Sequence, residues 1–211
     1  MTKRKRHQDV KDEIREAVES GFDIHDKVKT ITLKALTAGE LDRDNIKNVA
    51  ESVSKGINEG MATQSDDAKV IFTHAASALD DALAVAAQAS KLAIEEAASK
   101  VNEYSQHELN SATQNLQDME WVFLDTLEKV VNGNQVIADI VGDFVSHARQ
   151  SGTAVGKQVL TALEALKGLP HLGKETVVSS TVAATITLAQ IGSGILSGIA
   201  ESLQQSSHSK K

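Results

Sequence analysis

Histidines and paired carboxylates are the residues whose types could carry acid–base or metal chemistry in this chain. The seven His are scattered, and none lies four residues from another, the spacing at which two imidazoles on one helix face bind a metal. The doublets Asp80-Asp81 and Glu95-Glu96 point about 100° apart on a helix, so neither pair can share a proton or a metal ion. We predict that both doublets lie on solvated helix faces. No catalytic, cofactor-binding or metal-binding residue is predicted, and we expect no enzyme.

Phosphate-binding and thiol chemistry are not predicted either. Gly192-Ser193-Gly194 lacks the Gly-Lys-Ser/Thr ending and the preceding strand of a phosphate-binding loop, so close helix packing or a bend is its expected role. The chain contains no Cys, which excludes disulfides, thiolate catalysis and zinc–thiolate sites.

Charge is distributed unevenly along the chain. The net charge is −7, and without the basic runs 3–6 and 210–211 the remaining 16 Lys and Arg face 29 Asp and Glu. Because phosphate neutralisation needs a basic face, we do not expect nucleic-acid binding by this acidic body. No apolar stretch follows the basic run at 3–6, so no secretory signal peptide is predicted, and the expected location is cytoplasmic.

The composition is typical of long helices. Aromatic residues make up only 3% of the chain, and Pro170 is the only proline. Small and branched aliphatic residues favour thin helix seams over deep globular cores. The sequence predicts an all-α fold, an elongated helical bundle with a long central helix and a coiled-coil segment.

Gly, Pro and the apolar repeats divide the chain into segments that position the candidate residues. No Gly or Pro occurs from Asp66 to Val131, which predicts one long helix, although polar residues near 104–111 leave a hairpin as an alternative. The predicted segments are a basic disordered tail at 1–8, three short amphipathic helices within 9–62, a long Ala-rich helix or coiled coil over 65–132, amphipathic helices within 134–169, an uncharged C-terminal helix over 171–205 and a polar tail at 206–211.

Apolar residues recur with a 3.5-residue average period in the second half of the long segment. This period is typical of a coiled coil, so we predict a self-association seam and a homo-oligomer. The predicted seam consists of Leu109, Ala112, Leu116, Met119, Phe123 and Val130.

The span from Thr176 to Ala200 contains no charged residue. It is long enough to cross a bilayer, but its Ser and Thr residues dilute its hydrophobicity. It is interpreted either as the central helix of a bundle or as a helix that contacts a membrane or granule. The predicted contact residues are Val177, Val178, Val182, Ile186, Ile191, Gly194, Ile195, Gly198 and Ile199.

A known family shares these general features. The Ala-rich helix between Ala75 and Ala98, the few aromatics, the lack of Cys and the amphipathic remainder resemble the phasins, bacterial proteins that coat polyhydroxyalkanoate granules. The resemblance covers most of the chain but assigns no role to any residue. The stretch from Ala35 to Gly60 is similar to uncharacterised bacterial helical proteins, which implies no function.

Together these features predict a non-enzymatic surface-active or scaffolding protein, phasin-like in character. It would bind a hydrophobic inclusion, a membrane surface or partner helices through its amphipathic stripes, and lie in the cytoplasm or at the periphery of a membrane or storage granule. Two alternatives stay open, a soluble coiled-coil oligomer or adaptor and a membrane protein anchored by 177–200.

Overall fold

The computed structural model describes residues 3–62, 67–100, 104–129, 131, 135–169 and 187–208. Within these ranges the chain forms helices and no strand, which confirms the all-α prediction. The helices are α1 (Lys3–Glu19), α2 (Ile24–Thr37), α3 (Arg43–Met61), α4 (Ala68–Ser99), α5 (Gln106–Gln117), α6 (Met119–Lys129), α7 (Gln135–Ser151), α8 (Ala154–Leu166) and α9 (Leu188–His208).

Helix α4 is the centre of the fold. It packs against α2, α3, α5, α6, α7, α8 and α9. Eleven of its sixteen buried residues are Ala, which favours helix intrinsically and lets neighbouring helices come close. A helix covered on several sides is apolar around most of its circumference, and this position accounts for the composition of α4.

The predicted single helix over 65–132 is wrong, because the chain leaves helical geometry after Ser99. Lys100 ends α4, and α5 begins after Ser105 with a capping box. Ser105 Oγ accepts the Glu108 N–H at 3.3 Å, and Glu108 Oε2 accepts the Ser105 N–H at 2.8 Å. These reciprocal bonds satisfy N–H groups that a helix start leaves open. Helix α5 then packs back against α4, as in the hairpin alternative.

The predicted disordered tail at 1–8 is also wrong for the residues described. Helix α1 already begins at Lys3, and the Arg6 guanidinium donates a hydrogen bond to the Ala38 carbonyl at the end of α2. The basic residues therefore extend a helix whose apolar face, including Ile14 and Val18, is buried. At the other end, α9 continues to His208, into the predicted polar tail.

Candidate functional site: the C-terminal helix and its groove

Helix α9 has one buried face that lies against α4, α2 and α5. Leu188, Gly192, Leu196 and Ala200 follow one another at four-residue spacing along this face, and all four are buried. Gly192 allows the closest approach, since a Cβ there would lie 3.1 Å from Leu41 Cδ2 and 3.8 Å from Ala93 Cβ. The groove that receives α9 is therefore shaped to a helix without a side chain at this turn.

The hydrogen bonds described between α9 and other elements lie at the beginning of this helix. The Leu41 N–H donates to the Ala189 carbonyl at 3.1 Å, and Ser193 Oγ donates to the Gly39 carbonyl at 2.8 Å. Gln190 Nε2 donates to Glu40 Oε1 at 3.1 Å. All three partners belong to the short connection between α2 and α3. In the described part of the chain, no ion pair involves α9.

The outer face of α9 is mostly polar and small, with Leu203 exposed near its end. Gly194 and Gly198 are exposed, and a Cβ at either position would have no atom within 4 Å. Ile191, Ile195 and Ile199 flank the buried face and are half-buried against the core. Of the residues predicted to contact a membrane or granule, these five lie on α9, whereas Val177, Val178, Val182 and Ile186 lie outside the described residues.

A cleft of about 320 Å³ opens beside the first turns of α9. Its walls come from α4, α5, α9 and the α2–α3 connection. The apolar part of the wall includes Leu41, Ile94 and Leu188, which are buried. Helix α9 thus closes one side of a cavity in addition to covering α4.

The predicted self-association seam lies inside the described fold. Leu109, Leu116, Met119 and Phe123 are buried, and Ala112 is half-buried against the same core; Val130 lies outside the described residues. The prediction that this seam is an exposed surface for a second chain is therefore wrong for the described residues. The apolar repeat could not distinguish the two cases, because a helix bundle within one chain produces the same repeat as a coiled coil between chains. Self-association stays a prediction, but the described seam residues do not provide a surface for it.

The first of the two carboxylate doublets is not a solvated face. Asp80 Oδ2 accepts the Ala154 N–H at 2.7 Å, and Asp80 Oδ1 accepts the Val155 N–H at 2.8 Å, so that Asp80 caps the start of α8 from the side of α4. Burial raises the pKa of Asp80; the two N–H donors lower it, and the neighbouring Asp81 and Glu120 carboxylates raise it further. The solvated-face prediction is therefore wrong for Asp80.

Asp81, the second carboxylate of that doublet, contacts α2 and not α8. Asp81 Oδ2 lies 3.2 Å from His25 Nε2 and 3.5 Å from Lys29 Nζ, both on α2. The doublet therefore joins α4 to α2 on one side and to α8 on the other. The 100° between adjacent helix positions, which argues against a shared metal, is what sends the two carboxylates to different helices.

A third carboxylate completes the contact at the start of α8. Thr153 Oγ1 accepts the Gly156 N–H at 2.8 Å and donates to Glu120 Oε1 at 2.6 Å. We call Asp80, Glu120 and Thr153 the α8 latch. It satisfies three N–H groups of the first turn of α8 with side chains from α4 and from the residue before α8, while Glu120 of α6 orients the Thr153 hydroxyl.

Metal binding and membrane insertion are two further functions that helical proteins can have. No group of three or more His, Asp or Glu is arranged there to hold a metal ion. One described helix, α4, is long and apolar enough to span a membrane, and 56% of its most apolar window is buried inside the fold. Its core position is sufficient to explain that apolarity.

Comparisons with known proteins place the chain in a family without adding a function. No curated protein and no solved structure matches it. One family model, described as a family of unknown function (DUF6781), matches residues 1–205. Since the match extends over nearly the whole sequence, the chain belongs to the DUF6781 family.

Proposed function

We propose that this protein is a non-enzymatic, surface-active helical protein, and that α9 is the element with which it attaches to a hydrophobic phase. In the closed fold, α9 covers α4. In the attached form, α9 leaves its groove and lays Leu188, Leu196 and the flanking isoleucines on the surface of an inclusion or a membrane. The observation that carries the proposal is the buried face of α9, which consists of Leu188, Gly192, Leu196 and Ala200 and contains no charged residue.

The energetics of α9 are compatible with reversible release. Leu188 and Leu196 are its only large, buried side chains in the described structure, and each contributes ~1.5–3 kcal/mol when fully buried. Three half-buried isoleucines and the hydrogen bonds at the start of α9 add to this. Whole domains are typically stable by ~5–15 kcal/mol, and local elements open at a lower free energy than the whole fold, so we propose that α9 opens before the fold is lost. No charged side chain has to be desolvated from Leu188 to Ala200 when this helix enters an apolar phase.

The acidic body fits the same role. A net charge of −7 leaves the attached particle negatively charged, and repulsion between such particles keeps them dispersed. The alternative of a coiled-coil adaptor is less supported, because the described seam residues are buried. A high-pH carbonate wash distinguishes the alternative of a membrane anchor from a surface coat.

A disulfide between α4 and α9 tests whether α9 must leave its groove. A Cβ at residue 192 would lie 3.8 Å from Ala93 Cβ, which is about the average Cβ–Cβ distance of a disulfide. The natural chain has no Cys, so in Ala93→Cys with Gly192→Cys no native thiol competes for the bridge, and purification of the oxidised monomer removes bridges between chains. We expect the oxidised variant to bind hexadecane droplets at least about tenfold more weakly than the wild type, a difference of ~1.4 kcal/mol.

The same variant after reduction is the matched control, since it differs only in the bridge. Recovery of droplet binding after reduction is the expected result. Equal binding by the oxidised and reduced forms, with the bridge verified by mass spectrometry, would mean that α9 stays docked and that another surface adsorbs.

Fractionation of native cells on a density gradient, followed by a high-pH carbonate wash, tests the role in the cell. We expect the protein to be recovered with an inclusion or lipid fraction and to be released by the wash, because only one face of a helix is attached. Resistance to the wash would favour the membrane anchor, and recovery only as a soluble species would contradict the coat.

A further inference from the structure

The cleft beside α9 has a charge pattern that the attachment of α9 does not use. Of the described residues that line it, Asp42 and Glu108 are acidic, His107 is an exposed imidazole, and none is Lys or Arg. The remaining polar groups include the side chains of Ser90, Ser111 and Asn115, which offer further acceptor oxygens. Among its described residues, the cleft therefore combines two carboxylates with an apolar wall and no Lys or Arg.

Each of the two acids uses one oxygen for a helix cap and keeps the other. Asp42 Oδ1 accepts the Asn45 N–H at 2.7 Å, and Glu108 Oε2 accepts the Ser105 N–H at 2.8 Å. Within the described residues, Asp42 Oδ2 and Glu108 Oε1 accept no hydrogen bond and form no ion pair. Both residues are half-buried, so these carboxylates are partly removed from water without a positive partner.

The apolar part of the cleft wall includes residues from three helices. Ala93 and Ile94 belong to α4, Ala112 to α5 and Leu188 to α9. A volume of about 320 Å³ lies at the lower end of the range for small-molecule sites, ~300–1,000 Å³. A ligand that fits must be small, with one positively charged end and one apolar end.

We infer that this cleft is a binding site for a small organic cation, a primary ammonium with a short alkyl tail. The ammonium donates hydrogen bonds to Asp42 Oδ2 and Glu108 Oε1, and the tail covers Ile94, Ala112 and Leu188. An ammonium offers three donors, which suits a rim of acceptors, and its charge meets the two carboxylates. Because the walls belong to α4, α5 and α9 together, the ligand binds the folded, closed form.

Hexylammonium is the probe for this inference, and its binding is measured on the full chain by isothermal titration calorimetry and by the shift in Tm. We expect saturable binding and a rise in Tm, since a ligand that binds only the folded state stabilises it. Hexanoate has nearly the same tail with the opposite charge, and methylammonium has the charge without the tail. Neither is expected to bind measurably at the concentration at which hexylammonium saturates.

The variant Asp42→Asn with Glu108→Gln removes both charges but keeps both caps, because Asn is as good an N-cap as Asp and Gln replaces Glu in a capping box. We expect it to bind hexylammonium at least about tenfold more weakly than the wild type. Asp44→Asn with Glu164→Gln is the matched control, since it removes two exposed acids that do not line the cleft, and it is expected to bind normally.

Three results would overturn the inference, namely no saturable binding of hexylammonium, equal binding of hexanoate, or unchanged affinity in the double variant. A Tm of the double variant close to that of its control verifies that both are folded. The site does not depend on the release of α9, so its failure would leave the droplet experiment unaffected.

Discussion

Replacement of Gly56 or Gly60 by Ala is expected to lower the free energy of unfolding by about 1–3 kcal/mol for each site. Both glycines lie on α3, where α1 crosses it. A Cβ at residue 56 would lie 2.5 Å from the Lys11 carbonyl oxygen and 2.7 Å from Ile14 Cβ. Both atoms are held in place, one in the backbone and the other in a buried branched side chain, so the helices must separate and α1 loses packing.

The second position has the same geometry one turn later. A Cβ at residue 60 would lie 2.7 Å from Val18 Cβ and 2.9 Å from the Arg15 carbonyl oxygen. Because both substitutions push the same helix in the same direction, the effects of the double variant are not expected to be additive. Urea unfolding followed by circular dichroism measures the change, and the slope should stay constant if only the native packing is altered.

Gly194→Ala and Gly198→Ala are the matched controls, with the opposite expected sign. Both glycines lie inside α9, where a Cβ would meet no atom within 4 Å. Ala is favoured over Gly in a helix interior, so each control should stabilise the protein by up to ~1 kcal/mol. If Gly56→Ala or Gly60→Ala stabilised the fold as the controls do, the close crossing of α1 and α3 would be disproved.

These glycines also illustrate what the sequence alone could predict. Two Gly-xxx-Gly pairs lie within a single described helix, Gly56–Gly60 in α3 and Gly194–Gly198 in α9, and only the second belongs to the residues predicted to contact a membrane or granule. The structure uses the first for a tight crossing and leaves the second exposed. Spacing indicates that a helix can be approached closely, whereas the identity of the approaching helix depends on the whole fold.

Periodicity predicted the helices well and their partners poorly. The apolar repeat from Leu109 to Phe123 correctly marks a buried face, but the same repeat serves an interface between chains or a core within one chain. The capping box that begins α5, Ser105 with Glu108, was readable as Ser-x-x-Glu and would have located the break in the long helix. The apolar residues on both sides of the break keep helical periodicity, so the pattern left both one long helix and a hairpin open.

The uncharged C-terminal span illustrates a second limit of sequence reasoning. Part of that span forms α9. Its mixture of Ser, Gly and Ile did not reveal which face of the helix is buried and which is exposed. Among the described helices, it is α4 that satisfies the length and apolarity of a membrane span. Hydropathy measures composition, and composition does not distinguish a helix in the middle of a bundle from one in a bilayer.

Asp80→Ala is expected to destabilise the protein by about 2–4 kcal/mol. The substitution removes the acceptor of the Ala154 and Val155 N–H groups, and each buried donor left without a partner costs ~1–3 kcal/mol. Asp81→Ala is the matched control. Its half-exposed ion pairs with His25 and Lys29 should contribute no more than ~1 kcal/mol. A larger effect at Asp81 than at Asp80 would contradict the assignment of the latch.

The dependence on pH gives the latch a signature that a packing role would lack. Because burial raises the pKa of Asp80 in the folded state, the folded protein binds the proton more tightly than the unfolded chain does. The stability linked to this proton is fully present below about pH 4, where Asp80 is protonated in both states, and is lost as the pH rises through the raised pKa.

The variant Asp80→Asn isolates this effect, because its amide cannot titrate. The free energy of unfolding of the wild type minus that of Asp80→Asn should therefore fall as the pH rises from about 4 and become constant above the raised pKa. Urea unfolding of both proteins across this range measures the difference, in which most titrating groups cancel. A difference that rises with pH would mean that the two N–H donors outweigh burial, and that the carboxylate at the start of α8 stabilises the fold through its charge.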